Sequence, residues 1–301
     1  MKQVCMTQRT ELARQMLRFT PEPGVHATPI ERLTLIRSDQ PTDDLPSIYE
    51  ASVCLIAQGT KTVSLGGTSL IYDASSYLVV SVDLPLVGRI LQASAQDPYL
   101  CCKIDINPVV LTELVMHERH PAATGSAPAF AVHPADEQLS DAACRLVSLL
   151  GQPEHAGVLA PLIEKEILYR LLQGPHGPAL RRIAQGDSHV GRVGRAAAFI
   201  RENYRKPIRV DDVAAAAGMS PSSLHEHFKA ITTLTPLEFQ KRLRLEAARA
   251  LMLSTDANAA DAAFAVGYQS PSQFSREYRR AFNASPRLDA DRLKASGYAA
   301  T

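Results

Sequence analysis

The sequence predicts an α+β protein built from two unlike halves. A β-barrel or sandwich with flanking helices comes first, and an all-α region follows it. Three observations carry this. From about residue 30 to 106, short runs rich in β-branched and aromatic residues alternate with turn residues. From about 108 onward, apolar residues recur at helical spacing. Beyond residue 190, a pattern of helix, glycine and capped helix occurs twice.

The elements follow in order. Residues 8–20 read as a short amphipathic helix. The strand candidates are LTLIR (33–37), SVCLIA (52–57), KTVSL (61–65), SLIYD (69–73), YLVVSV (77–82), LVGRIL (86–91) and YLCCKIDI (99–106). Gly66-Gly67 between the third and fourth is a hairpin signal. Helical patterns cover 108–117, 135–150 and 160–174, the last closed by Gly174. A run broken by glycine and proline follows, and the linker is expected at 185–191, between a domain over 1–184 and another over 192–295. Further helices are expected from GRVGRAAAFIRENY, RVDDVAAAAG, TPLEFQKRLRLEAARALML (235–253), ANAADAAFAVG (257–267) and SPRLDADRLK (285–294). In the long one, Thr235 to Glu238 spells a capping box with proline at the first helical position, and Leu237, Leu243, Leu245, Ala248, Leu251 and Met252 supply an apolar stripe.

With 301 residues, the chain is long enough for two cores. Its net charge of +1 hides an asymmetry. Residues 1–189 hold 15 Lys and Arg against 20 Asp and Glu; residues 190–301 hold 17 against 11. A basic second half points to a polyanion partner. The opening residues lack a signal-peptide core and no run reaches transmembrane length, so a cytoplasmic protein is expected. Cys5, Cys54, Cys101, Cys102 and Cys144 form no CxxC and predict no disulfide framework.

The repeat is the strongest signal. AAAAGMSPSSLHEHFKA aligns with AFAVGYQSPSQFSREYRRA, so that Gly218 matches Gly267, Pro221 matches Pro271, Leu224 matches Phe274 and Phe228 matches Tyr278. Each copy has the helix-turn-helix plan. The apolar pairs, four residues apart, face inward. Ser222, Ser223, His225 and Glu226 in one copy, and Ser272, Gln273, Ser275 and Arg276 in the other, then face outward. Such side chains reach base edges: Arg276 suits guanine, Gln273 adenine, and Glu226 the amino group of cytosine. Lys229, Lys241, Arg242, Arg279 and Arg280 are candidate phosphate contacts. The long helix would hold the two units for successive major grooves, about 34 Å apart.

At these residues the sequence resembles the AraC/XylS family of transcription regulators. AGMSPSSLHEHFK, TPLEFQKRLRLEAARALM and AVGYQSPSQFSREYRRAF carry the likeness, over about 192–288. The resemblance implies two helix-turn-helix units reading an asymmetric promoter site, activation more than repression, and contact with RNA polymerase. Glu226 stands where many members carry a basic or polar reader, and Thr233 and Asn283 stand where a glycine is frequent. Segments such as YDASSYLVVSVDLPLVGRI and PYLCCKIDINP are similar to the cupin-like N-terminal domain of one branch. That likeness implies a regulatory barrel that binds a small-molecule effector, mediates a homodimer, or both. Helices 108–117, 135–150 and 160–174 are the candidate dimer surface, with packing on the barrel as their other use.

Enzymatic chemistry finds no support. Cupin metal enzymes need converging histidines, and this chain has none between His26 and His117. The cysteine spacing does not suit the zinc site of alkylation-repair regulators, and His225 and His227, two apart on a helix, make a poor metal pair. No cofactor or metal is expected. Cys54 and Cys102 are candidate sensing thiols for electrophiles, with Lys103 or Arg89 to lower a pKa, against a plain role as small buried hydrophobes. Two other readings stand beside the regulator: a ligand-binding or enzymatic cupin with a nonspecific basic tail, and an architectural DNA protein.

Overall fold

The computed structural model describes residues 2–117, 128–184, 188–255 and 257–295; the side chains of 2–10, 183 and 295 fall outside that description, so Cys5 and positions 185–187 of the expected linker do too. The chain opens with α1 (Lys2–Phe19). The strands β1 (Gly24–Ala27), β2 (Leu33–Ser38), β3 (Leu45–Tyr49), β4 (Ser52–Gln58), β5 (Thr60–Leu65), β6 (Thr68–Asp73), β7 (Ser76–Val80), β8 (Leu84–Gln92) and β9 (Tyr99–Asp105) follow. Next come α2 (Pro108–His117), β10 (Phe130–Pro134), α3 (Glu137–Ser148), a 3₁₀ turn at Leu149–Gly151, α4 (Pro153–Gln173) and α5 (Gly177–Ala184). The rest is helical: α6 (His189–Asn203), α7 (Val210–Ala217), α8 (Pro221–Thr232), α9 (Pro236–Ser254), α10 (Ala259–Ala265), α11 (Pro271–Phe282) and α12 (Pro286–Ala295).

The α+β class is as the sequence predicts. The strands form two antiparallel sheets, ordered β1-β2-β9-β4-β7-β10 and β3-β8-β5-β6. Among the described residues the hydrogen bonding does not close them into a ring. At the β5–β6 hairpin, Gly66 and Gly67 have φ of +55° and +90°. Two successive positive φ values are what a tight primed turn needs, and glycine adopts them without strain.

Period-two alternation sorts the large sheet's side chains between two cores. Val53, Leu55, Leu100, Cys102 and Ile104 face helices α1, α3 and α4, meeting Met16, Leu146 and Ile167. Cys54, Ile56, Tyr99 and Cys101 point the other way, into the space between the sheets, against Val63, Tyr72, Leu86 and Ile90. Both faces of β4 and β9 are therefore buried, which is why these strands read as unbroken apolar runs.

The helical half has two cores sharing one rod. Phe239 of α9 joins Val213, Leu224 and Phe228, with the Phe228 and Phe239 rings edge-to-face at 5.4 Å. Farther along α9, Leu245, Ala248 and Met252 join Phe274, Tyr278 and Phe282. Leu237, expected in the apolar stripe, is instead 45% exposed. Arg249 and Asp289, a buried pair at 2.9 Å, tie α9 to α12, and the Tyr278 hydroxyl donates to the same carboxylate at 2.7 Å.

The two halves meet along a seam. Arg201 of α6 pairs with Asp83 at 2.7 Å and Glu50 at 3.2 Å. Arg292 of α12 pairs with Asp43 at 2.7 Å. Glu246 of α9 accepts the backbone N–H of Ile48 in β3 at 2.7 Å. Ile231 of α8 packs against both the inter-sheet core and the first helical core.

Candidate nucleic-acid interface

Each helix-turn-helix unit is set by its turn and caps. Gly218 ends α7 in the left-handed conformation at φ +63°. Gly267 sits at φ +91°, and a Cβ there would collide with the backbone carbonyl of Arg205. Ser220 and Ser270 then cap α8 and α11, accepting from the N–H groups of Ser223 and Gln273 at 3.2 and 3.3 Å. A serine cap is worth about 1 kcal/mol. Both second helices end on a left-handed residue that is not glycine, Thr233 at φ +63° and Asn283 at φ +54°. These are the positions where the sequence departs from the frequent glycine.

The helices bury Leu224 and Phe228 in one unit, and Phe274, Tyr278 and Phe282 in the other. Of the expected base readers, Ser222, His225, Glu226, Ser272, Gln273 and Arg276 are exposed, and Ser223 and Ser275 are half-buried. Lys229, Lys241, Arg279 and Arg280 are exposed as well. Arg242 differs. It is half-buried, lies over the Phe282 ring at 5.6 Å and donates weakly to the Ala281 carbonyl at 3.5 Å. Its guanidinium packs the second unit instead of standing open to a phosphate. His227 stacks on His189 at 3.7 Å, a contact the sequence did not suggest.

Sequence reasoning also missed Glu277. It accepts from Tyr268 Oη at 2.8 Å and from Gln273 Nε2 at 3.1 Å, and pairs with Lys241 at 3.3 Å. Burial opposes its charge, but the Gln273 and Tyr268 donors and Lys241 hold its carboxyl below the usual range. It fixes the rotamer of one expected reader and the place of one expected phosphate contact.

In the other half, a cavity of about 120 Å³ opens between the sheets, lined by Ile36, Ile48, Ile90, Tyr49, Lys61 and both Cys54 and Cys101, among others. Cys54 is drawn down to about 7, first by a hydrogen bond from Cys101, with burial opposing and Lys61 and Lys103 assisting. Arg89 opens onto a different cavity. Cys102 faces the helices, and burial pushes its thiol up to about 12. Of the two thiols singled out from sequence, only Cys54 reaches the cavity. Among the described residues no group of three or more His, Cys, Asp or Glu could hold a metal ion.

The family model of the AraC-type transcriptional regulator N-terminus matches residues 29–179, half of the chain. The chain belongs to the AraC-type transcriptional regulators. A helix-turn-helix domain model matches residues 213–289 of this AraC-type chain, across both units. Among curated relatives, the transcriptional activator RhaS of Escherichia coli O1:K1 / APEC is 31% identical over 144 residues, 48% of this chain and 51% of RhaS. The chain thus spans about half the length of the curated relatives it matches. Of solved structures, an apo form of ToxT from Vibrio cholerae strain SCE256 superposes with a TM-score of 0.61 at 11% identity, over 88% of this chain and 99% of that one. ToxT from Vibrio cholerae O395 bound to (E)-4-(8-methylnaphthalen-1-yl)but-3-enoic acid gives 0.60 at 10% identity, over 87% and 100%. At these identities the likeness shows a shared fold for this AraC-type regulator.

Proposed function

We propose that residues 192–295 of this regulator read promoter DNA through α8 and α11, and that residues 1–184 receive a small-molecule signal; the stretch 185–191 expected to join them already enters α6 at His189. One observation carries the reading: two units with the same serine-proline caps and outward polar side chains at matching positions sit on one 19-residue helix. At 1.5 Å per residue α9 spans about 28 Å, close to the roughly 34 Å between successive major grooves. Ser222, Ser223, His225, Glu226, Ser272, Gln273, Ser275 and Arg276 are the base readers of this proposal. Lys229, Lys241, Arg279 and Arg280 hold the phosphates. No catalytic role is assigned. As RhaS is an activator, we take activation, through RNA polymerase, as the sign of regulation here. The work belongs in the cytoplasm, with the DNA; no described helix is long and apolar enough to cross a membrane.

A homodimer fits α2 and α4 best. Val109, Met116, Val158 and Leu162 are 60–80% exposed on these two helices, whereas α3 buries its apolar side in the core it shares with α1 and α4. The deciding experiment is a gel shift on the protein's own upstream DNA and a scrambled fragment at about 150 mM salt. The regulator binds the first selectively, and Arg276→Ala lowers that affinity about tenfold or more, the value of one bidentate base contact. Equal, salt-sensitive binding to both fragments would leave only a nonspecific basic tail.

A further inference from the structure

Three cations line the cavity between the sheets: Arg37, Lys61 and Lys103. Two of them are satisfied. Arg37 holds Asp39 at 2.8 Å and donates to the Thr20 carbonyl at 2.8 Å. Lys103 holds Asp105 at 2.7 Å, with Glu50 at 3.9 Å. Lys61 has no such partner among the described residues. Its ammonium stands 5.2 Å from the Tyr49 ring centroid and 5.8 Å from that of Tyr99. Burial works against its charge, but the Tyr49 hydroxyl and the Cys101 and Cys54 thiols keep its pKa above that of a free lysine. No carboxylate is among those groups, and no acidic residue lines the cavity among the described residues.

The surroundings offer donors. The Tyr72 and Tyr99 hydroxyls are buried in the same core with no partner in hydrogen-bonding geometry. A buried ammonium that faces only a tyrosine hydroxyl and two cysteine sulfurs, with no carboxylate, is poorly matched, and the two unpartnered hydroxyls deeper in that core add to the polar cost. The missing complement is an anionic acceptor. The rest of the wall is apolar, with Val25, Ile36, Leu45, Ile48 and Ile90. Space is set by Gly88, where a Cβ would collide with the Tyr49 hydroxyl and press on Lys61 Cε at 3.1 Å. The volume is roughly ten times what one water needs, enough for a compact ring.

We propose that this cavity is the effector site, that its ligand is a small monocarboxylate with a compact apolar body, and that Lys61 anchors the carboxylate. The proposal rests on reading the N-terminal half as the signal-receiving part. It also gives a route outward. Ser47, Ile48 and Tyr49 of β3 line this cavity, while Ser47 and Ile48 also line the seam against Glu246 of α9. A ligand in the cavity therefore presses on the strand that holds the rod between the two DNA-reading units.

The test is calorimetric titration of the full-length protein with cyclohexanecarboxylate and its neutral isostere cyclohexanecarboxamide. The carboxylate binds and the amide binds at least tenfold more weakly. Lys61→Met weakens the carboxylate about ten- to a hundredfold, the range of a charged hydrogen bond, without changing the amide. Equal affinity for the two ligands, no binding of either up to about 10 mM, or unchanged carboxylate affinity in Lys61→Met overturns the proposal. Should Lys61→Met fail to fold, Gly88→Ala decides: the carboxylate is lost if its site is here, and full affinity overturns it. The gel shift without ligand stands apart. Selective DNA binding with no carboxylate response sinks the ligand and leaves the regulator; nonselective DNA binding sinks the regulator itself.

Discussion

Glu246 Oε2 accepts the backbone N–H of Ile48 at 2.7 Å, so a carboxylate from the rod between the two helix-turn-helix units holds the edge strand of the smaller sheet. Burial raises this carboxyl from 4.5 to about 7, against the Ile48 N–H, Arg242 and Arg249. Its folded value lies above its unfolded one, so its contribution is most favourable below pH 4.5 and is lost as pH rises through about 7. Asp83, raised by burial from 3.8 to about 6 despite Arg201, has the same sign. The seam therefore tightens on acidification from pH 8 to pH 6. Glu246→Gln, which keeps the acceptor and removes the charge, flattens that dependence and raises Tm at pH 8 by a few degrees, on the order of 1–2 kcal/mol. A pH series of thermal melts checks it; a parallel curve for wild type and variant refutes it.

Gly218 and Gly267 occupy equivalent turns but are not equally replaceable. At Gly218 the nearest neighbour of an added methyl would be Arg195 Nη2 at 3.8 Å, so Gly218→Ala costs only its left-handed backbone, about 1–2 kcal/mol. Gly267→Ala adds a collision with the Arg205 backbone, which cannot swing aside. It should cost more than about 3 kcal/mol. Urea unfolding of the two variants should rank them in this order.

Lys229 and Arg279 are exposed at matching positions of α8 and α11. Lys229→Ala and Arg279→Ala should weaken binding to all DNA alike, each reducing the slope of log K against log salt by about 1. Glu226→Ala should change preference at one base pair and leave that slope intact. Arg242→Ala belongs to neither class. Its half-buried guanidinium over Phe282 predicts a stability loss of about 1 kcal/mol with the salt slope unchanged.

Cys54 and Cys102 lie on neighbouring strands yet should differ sharply in reactivity. Alkylation of Cys54 should accelerate as pH rises through about 7, whereas Cys102, pushed to about 12, stays silent. Lys61→Met removes a charge that favours the Cys54 thiolate, so the midpoint moves up. Peptide-resolved mass spectrometry after brief iodoacetamide treatment reads both. Equal labelling of the two cysteines would contradict the assignment.

The repeated unit was legible because its signals are local. A serine cap, a proline at the first helical position and a glycine turn each act within a few residues. Thr235 with Glu238, Ser220 and Ser270 all cap as their neighbours in sequence imply. Strand β3 was not legible. It carries Pro46, and all five of its residues are only partly buried, so it lacks the alternation that marks a strand. Its place at a sheet edge is what tolerates the proline. Helix α4 begins at Pro153, seven residues before its expected start, and carries Pro161 within it, where a proline ordinarily breaks a helix. Helix α5 (Gly177–Ala184) likewise lies in the run broken by glycine and proline, for which no helix was expected. The absence of a carboxylate beside Lys61 among the described residues could not have been found from sequence. It depends on where Asp39, Asp105 and Glu50 end up, and those carboxylates take Arg37 and Lys103 instead.

The bond from Ile48 to Glu246 bears on anyone who would build hybrid regulators from this chain. The natural cut for such a fusion is the stretch near residue 190, where the half that carries the sheets gives way to the helix-turn-helix half. A foreign sensor joined there would bring no Ile48, and Glu246 would arrive without the N–H that stabilises it. Arg201 and Arg292 would likewise lose Asp83 and Asp43. Such a hybrid would keep its grip on DNA and lose its obedience to the sensor. A working graft has to carry the short strand Leu45–Tyr49 along with the helices, as a piece of the receiver that belongs to the reader.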